Sequence, residues 1–244
     1  MAEIDRLANT RLGMLVKRIE SRLELMKLRY YKRNPLEKSA FNLIKNIYEE
    51  EDGPLLLSFF SGKKPVLFDP GELLNIWQQA RIMTNHGGVF AEVGVFRGTS
   101  AKVICEAKEK TPLHLFDTFE GLPDEISERD RRFEKGMFAG NENKVKERLS
   151  QYPDVVFYPG IFPGTAATAQ NLKFSFVHLD VDLYKVTRKA LEFFYPRMLP
   201  GGRILSHDYG HCEGVWCAFD EFIIGKQEKL QPMQNTQVLL IKSS

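Results

Sequence analysis

The sequence predicts an α/β fold, a doubly wound and mostly parallel sheet that is preceded by helices. Three observations lead to this prediction. From residue 89 onward, short apolar segments alternate with segments of helical periodicity. Several of the apolar segments stop at a glycine or an acidic residue, as buried parallel strands do where a ligand binds beyond their carboxyl ends. The first third of the chain has only helical periodicity.

Composition restricts the class of protein. The chain has 244 residues, 43% hydrophobic and 27% charged, with a net charge of +2, which is typical of a globular protein and not of a dedicated nucleic-acid binder. Its three cysteines have no framework spacing and indicate a reducing compartment. With no signal-peptide pattern and no apolar run of about 20 residues, we expect a soluble cytoplasmic protein without stable membrane insertion.

The N-terminal region is predicted to form a helical extension or cap over residues 1–84, ahead of a main domain at 85–244. Residues 1–33 carry an apolar stripe at helical spacing between faces rich in Lys and Arg. This stripe fits packing on its own domain, pairing with a second subunit or contact with an anionic membrane. We expect packing, with a homo-oligomer formed through these helices. Further helices are predicted over 36–50 and 69–83.

A strand, a glycine-containing turn and a helix then follow one another. The strand covers 89–93, the turn runs from Gly94 to Ser100, and the helix covers about 101–108. Such a turn lets a ligand approach bare backbone and a helix N-terminus. Thr99 or Ser100 is expected to cap the helix.

The next strand, 113–116, ends at Asp117. This acid comes 23 positions after Gly94, close to the spacing of about 20 expected for a carboxylate that binds a ribose diol. The glycine that would make room for a pyrophosphate is replaced by Phe96. The pattern therefore favours an adenosine without a diphosphate. A tight turn with a surface Asp remains the alternative.

The remaining segments continue the alternation. Residues 118–123 are predicted to form a loop, and the polar residues 124–140 a mobile segment over the site that carries substrate contacts. Helices are expected over 143–149, 186–194 and about 215–224, strands over 155–158, 203–206 and 237–241, and a turn over 199–202.

The stretch Phe176–Tyr184 begins as an apolar strand and ends in two carboxylates. If it stays extended, His178, Asp180 and Asp182 lie on one side. Two carboxylates this close repel each other unless a cation or a shared proton lies between them. A solvated loop carrying two acids is the alternative. His178 is expected to be a hydrogen-bonded strand residue.

Together these segments resemble the class I S-adenosylmethionine (SAM)-dependent methyltransferases, which have a Rossmann-like sheet. More narrowly, they resemble the macrocin-type sugar O-methyltransferases of macrolide and aminocoumarin biosynthesis. The resemblance covers about residues 85–225 and rests on an ordered set of segments: AEVGVFRGTS (91–100), FDTFEGLP (116–123), PGIFPGT (159–165), HLDVDLY (178–184), LPGGRILSHDYG (199–210) and AFDEF (218–222).

The resemblance implies a role for each matching residue. Asp182 is the base that takes the proton from the acceptor hydroxyl, which belongs to a sugar or another glycosylated small molecule. Asp180, His207 and Asp208 hold a divalent metal. The cofactor SAM is bound by residues of three segments: Glu92, Gly94, Gly98, Thr99, Ser100, Asp117, Thr118, Gly160 and Phe162.

One departure from the family pattern concerns the metal. The family has two adjacent acids where this chain has His207 and Asp208. Mg²⁺ is expected from the family, whereas histidine suits a transition metal. A zinc site is a further alternative; its donors would be His207, Asp208, His211, Cys212 and Cys217.

Two other functions remain open at this stage. One is a catechol- or phenol-type O-methyltransferase with the same fold and an aromatic acceptor. The other is a non-catalytic scaffold that binds the nucleoside. The placement of Asp182 as a base favours the sugar-directed enzyme.

Overall fold

The computed structural model describes residues 35–51, 67–124, 126–233 and 235–243. Contacts divide the chain into two units, Met1–Phe68 and Asp69–Ser244. The helix predicted over 1–33 lies outside the described residues, and its role, the oligomeric state and the domain boundary at residue 84 stay predictions. In the first unit, helix α1 (Pro35–Glu51) confirms the second predicted helix. None of the described helices is long and apolar enough to cross a bilayer.

The second unit is built on a mostly parallel sheet, as predicted. The strands are β1 (Val89–Val93), β2 (Leu113–Asp117), β3 (Val155–Pro159), β4 (Phe174–Leu179), β5 (Met198–Ser206), β6 (Leu230–Pro232) and β7 (Val238–Ile241). The helices are α2 (Pro70–Met83), α3 (Thr99–Ala107), α4 (Glu142–Leu149), α5 (Tyr184–Phe194) and α6 (Glu213–Ile223), with 3₁₀ turns at Glu128–Asp130, Gly164–Ala169 and Tyr195–Arg197.

The strand order is β3-β2-β1-β4-β5-β7-β6. The chain runs outward from β1 to β3 and then returns to place β4 on the other side of β1. The first five strands in this order pair in parallel, whereas β7 is antiparallel to β5 and to β6. The order therefore reverses between β1 and β4, and ligands of such sheets bind in the crevice beyond the strand ends at that point.

Strand β4 lies at the centre of the core. All six of its residues are buried, because it pairs with β1 and β5 and is covered on both faces. Phe174 packs edge-on against Phe194 of α5, with ring centroids 4.9 Å apart. Aromatic packing of this kind adds to the free energy of area burial and holds α5 against the sheet.

Two local predictions are wrong. Neither Thr99 nor Ser100 caps α3: the N-cap is Gly98 in a left-handed conformation (φ 78°), and the two hydroxyl residues lie inside the helix. Residues 199–202 do not form a separate turn before β5 but belong to the strand as a bulge, since Phe174 pairs with Met198 and Phe176 with Arg203.

Two further differences occur near strand ends. The short edge strand β6 was not predicted, because three residues that include Pro232 carry almost no strand pattern. The extended conformation expected through Tyr184 is also wrong: β4 ends at Leu179, and Asp182 is left-handed (φ 56°). The turn nevertheless keeps Asp182 beside Asp208, which alternation along a strand did not predict.

Candidate active site

The turn after β1 and the turn after β4 meet at the switch point. The Asp180 N–H donates to the Val93 carbonyl at 2.9 Å. Gly94 has φ 86°, and a Cβ placed on it would lie 1.8 Å from the Asp180 carbonyl oxygen. Only glycine lets the two backbones approach this closely. The glycine-rich turn and the acidic turn are therefore packed together at one edge of the sheet.

Replacing Gly94 with alanine is expected to lower the free energy of unfolding by on the order of 4 kcal/mol or to prevent folding, because the overlap with Asp180 adds to the left-handed strain. Gly136→Ala is the matched control: its φ is 83°, but nothing lies within 4 Å of the added Cβ. Left-handed strain alone should cost about 1–2 kcal/mol. Urea unfolding measures both variants, and equal losses would contradict the contact argument.

Glu92 lies in β1 with its carboxylate fully buried. His178 Nδ1 of the neighbouring strand lies 2.8 Å from Glu92 Oε1, and the Ser100 hydroxyl also hydrogen-bonds the carboxylate. Burial raises the pKa of Glu92 above its usual value, although both hydrogen bonds lower it. His178 is thus a hydrogen-bonded strand residue, as expected, and it orients Glu92 together with Ser100.

Asp117 closes the turn after β1. Its Oδ2 accepts from the N–H groups of Val95 and Phe96 at 2.5 and 2.8 Å, and its Oδ1 accepts from the Phe119 N–H at 2.6 Å. Phe96 takes the left-handed conformation (φ 51°) at the position where a dinucleotide-binding turn would have glycine. The carboxylate therefore organises the turn, and it stays partly exposed.

The other predicted cofactor residues border this turn. The Gly160 N–H donates to the Asp117 carbonyl at 2.9 Å, so the turn after β3 lies beside Asp117. Phe162 is buried and packs against Phe116 and Phe194, which anchors the turn to the core. The Thr118 hydroxyl donates to the Gly121 carbonyl at 2.7 Å and shapes the following loop.

The structure brings the predicted metal and base residues together. His207 Nδ1 lies 3.0 Å from Asp208 Oδ2 and 3.3 Å from Asp180 Oδ1. Asp182 hydrogen-bonds Asp208. Asp208 is also left-handed (φ 62°), which turns its carboxylate toward the cluster. Residues from the ends of β4 and β5 thus form one acidic cluster around an imidazole.

The pKa values of Asp182 and Asp208 shift in opposite directions. Asp182 is half-buried, and burial, followed by the charges of Asp180 and Asp208, raises its pKa well above the ordinary value. Burial alone would raise the pKa of Asp208 as well, but hydrogen bonds from His207 and Asp182 lower it. The hydrogen bond between the two carboxyl groups therefore favours protonation of Asp182 over protonation of Asp208.

Neighbouring carboxylates also shift the pKa of His207. Burial would lower the pKa of His207, but Asp180, Asp208 and Glu72 together raise it well above the ordinary value.

Sequence reasoning missed Glu72, the third residue of α2. Its Oε2 lies 3.2 Å from His207 Nε2, on the side of the ring away from Asp180 and Asp208. Burial works against ionisation, but hydrogen bonds from His207 and Thr236 lower the pKa of Glu72 to about 2. In the sequence, Glu72 is recognisable only as the last residue of an Asp69–Glu72 capping box, which gives no indication of a site.

Asp130 was also missed. Asp130 is buried. Its two carboxylate oxygens accept a hydrogen bond from the Tyr184 N–H, at 3.1 and 3.3 Å, at the N-terminus of α5. Its Oδ2 also accepts from the Ser127 hydroxyl at 2.5 Å. Because Leu183 offers no side-chain cap, Asp130 caps α5 from the 118–140 loop and fixes that loop beside the Asp182 turn.

Asp130→Ala is expected to lower the free energy of unfolding by roughly 2 kcal/mol, because the partly buried donors of Ser127 and Tyr184 lose a charged acceptor. Asp124→Ala is the control in the same loop. Asp124 is exposed and its carboxylate lies 3.6 Å from Lys135, a surface pair whose loss should change little. Chemical denaturation compares the two variants; a stable Asp130→Ala protein would remove the capping role.

The donor set fits a divalent metal. One ligand atom each from Asp180, His207 and Asp208 lies within 4.8 Å of the others, and a carboxylate contacts the second nitrogen of the imidazole, as is usual for histidine ligands. A second group, Asp208, His211 and Cys212, meets the same distance criterion. Cys217 belongs to neither group found among the described residues, so the zinc alternative loses one of its proposed donors.

Comparison with known proteins identifies the family. The model of the macrocin-O-methyltransferase (TylF) family matches residues 74–239. The chain belongs to this family.

Two relatives of this macrocin-O-methyltransferase family member match only parts of its length. A tetracenomycin-C rhamnosyl 4'-O-methyltransferase of Streptomyces olivaceus is 31% identical over 138 residues, which are 50% of this chain and 53% of the relative. Demethyldecarbamoylnovobiocin O-methyltransferase of Streptomyces niveus is 28% identical over 158 residues, 58% of this chain and 60% of the relative. The chain thus spans about half to three fifths of these relatives.

The structural comparison agrees with the family. The O-methyltransferase NovP superposes with a TM-score of 0.65 at 24% identity, covering 73% of this chain and 82% of NovP. A calicheamicin methyltransferase, CalS11, superposes with a TM-score of 0.63 at 19% identity, covering 85% of this chain and 93% of CalS11. At these identities the matches show the shared fold.

Proposed function

We propose that this chain is a SAM-dependent O-methyltransferase that methylates a hydroxyl of a glycosylated small molecule, with a divalent metal at the acceptor. The observation that carries the proposal is the contact between Gly94 and Asp180. It places the turn proposed to bind the methyl donor directly against the acidic cluster proposed to bind the acceptor. Family membership supports the reaction, and a relative named for methylating a rhamnosyl-bearing product supports the acceptor class.

The chain's own residues would bind and align the two substrates. Asp117 would accept hydrogen bonds from the ribose hydroxyls, with the Gly160 turn beside the adenine. Glu92, oriented by His178 and Ser100, would lie on the methionine side with Gly94, Gly98 and Thr99. SAM supplies an electrophilic methyl group on a sulfonium. Methyl transfer is an in-line displacement, so this alignment contributes much of the rate.

Asp182 would act as the general base. Its raised pKa makes the ionised carboxylate a stronger proton acceptor than an ordinary aspartate. Asp180, His207 and Asp208 would hold a metal ion, which would orient the acceptor hydroxyl and lower its pKa. The cytoplasmic location and the absence of a nucleic-acid partner stay predictions.

The test is calorimetric titration with SAM, followed by transfer of a labelled methyl group to three sets of acceptors. The sets are glycosides with free sugar hydroxyls, catechols and aglycones without a sugar. We expect SAM binding and labelling of glycosides. Labelling confined to catechols would shift the proposal to the phenol-type enzyme, and SAM binding without labelling would support a scaffold. A chain that does not bind SAM would refute the proposal.

A further inference from the structure

Glu72 contacts the acidic cluster from a part of the chain that the family pattern does not assign to it. Its Oε2 lies 3.2 Å from His207 Nε2, while Nδ1 of the same ring faces Asp180 Oδ1 at 3.3 Å and Asp208 Oδ2 at 3.0 Å. The imidazole therefore has a carboxylate on one edge and two candidate metal ligands on the other.

Glu72 is held in place independently of the histidine. Its Oε1 accepts from the Thr236 hydroxyl at 2.6 Å and from the Thr236 N–H at 3.1 Å, and its Oε2 accepts from the Asp69 N–H at 2.9 Å. Thr236 also approaches the other side of the site, because its hydroxyl oxygen lies 3.3 Å from the Asp208 N–H. These hydrogen bonds hold the Glu72 carboxylate in one position, and the carboxylate in turn can orient the ring of His207.

We propose that Glu72 is a positioning residue that accepts the Nε2–H of His207 and directs Nδ1 toward Asp180 and Asp208, so that the three ligands prefer Mn²⁺ to Mg²⁺. An outer carboxylate commonly fixes the tautomer and the ring orientation of a metal-binding histidine. A nitrogen ligand suits a transition metal, whereas Mg²⁺ prefers oxygen. The inference rests on the proposed function only in assigning this site to the acceptor.

The experiment uses the full chain and the metal ions alone. Mn²⁺ affinity is measured from the EPR signal of the free ion, and Mg²⁺ affinity by competition. Pulsed EPR detects the coupling of an imidazole nitrogen to bound Mn²⁺. We expect a nitrogen coupling and tighter binding of Mn²⁺ in the native chain. Glu72→Gln, which keeps the side-chain length, should weaken Mn²⁺ binding about 10- to 100-fold.

A second variant, His207→Asp, should reverse the preference between the two metal ions. It creates the two adjacent acids of the family pattern, removes the nitrogen coupling and should shift the preference toward Mg²⁺. In that background Glu72 and the new carboxylate repel each other, so Glu72→Gln should no longer weaken Mn²⁺ binding. A Glu72→Gln effect of the same size in both backgrounds would overturn the proposal.

Thr236→Val is the matched control for a purely structural role of Glu72. It removes one hydrogen bond to Glu72 and the 3.3 Å contact with the Asp208 N–H, but it leaves the contact between Glu72 and His207, so Mn²⁺ affinity should change much less than in Glu72→Gln. Equal losses would overturn the positioning role, as would native protein that binds no Mn²⁺ or binds it without nitrogen coupling. SAM affinity is measured on the same samples, and its absence would instead count against the proposed function.

Discussion

Asp182→Asn is expected to lower methyl transfer about 10²- to 10⁴-fold, the usual contribution of a positioned general base. An amide cannot take up the proton of the acceptor hydroxyl. SAM affinity should stay close to that of the native chain, because Asp182 lies in the acidic cluster and not in the turns proposed to bind the cofactor. Single-turnover transfer and calorimetric SAM titration measure the two quantities separately.

Asparagine is the right replacement because it should preserve the local structure. Asp182 is left-handed (φ 56°), a conformation that asparagine tolerates better than most residues. Asp182 hydrogen-bonds Asp208, and an asparagine amide can donate to that carboxylate. The variant therefore resembles the protonated native side chain and differs from it in being unable to ionise.

Glu192→Gln serves as the control for removing a carboxylate from the same part of the chain. Glu192 is exposed on α5 and pairs with Arg188 one helical turn away, so its loss should leave transfer unchanged. Near-native transfer by Asp182→Asn would remove Asp182 as the base.

Asp117→Ala is expected to weaken SAM binding at least about 100-fold, since two hydrogen bonds to a charged acceptor contribute about 3 kcal/mol or more. It should also lower the thermal stability, because the N–H groups of Val95, Phe96 and Phe119 lose their acceptor. Asp117 thus has one role observed in the turn and one proposed at the ribose, and weaker binding alone would not distinguish them.

A ligand lacking a ribose hydroxyl separates these roles. S-adenosylhomocysteine and its 2′-deoxy analogue are titrated into the native chain and into Asp117→Ala. If Asp117 binds the ribose, the native chain should discriminate between the two ligands and the variant should not. Equal discrimination in both proteins would show that Asp117 acts only by shaping the turn, and the ribose assignment would then be wrong.

The order of helices and strands could be predicted from the sequence because each local hydrophobic pattern favours one type of secondary structure. The buried run that became β4 and the capping sequence before α2 predicted their elements correctly. Local errors occurred where backbone conformation depends on contacts. Gly98 caps α3 in place of Thr99 because the N-cap position is left-handed (φ 78°), a conformation that glycine adopts without strain. The 199–202 bulge depends on its pairing with the chain after β7.

By itself, the sequence determined the fold class, the acids and glycines at the strand ends, and the resemblance that the family match confirmed. These follow from periodicity and residue type, which are local properties. Only the tertiary structure showed that β1 and β4 are neighbours, that Asp130 caps α5, and that Glu72 contacts His207 across 135 positions of sequence. Such contacts depend on chain topology, because a residue's type does not specify which distant side chain it will meet.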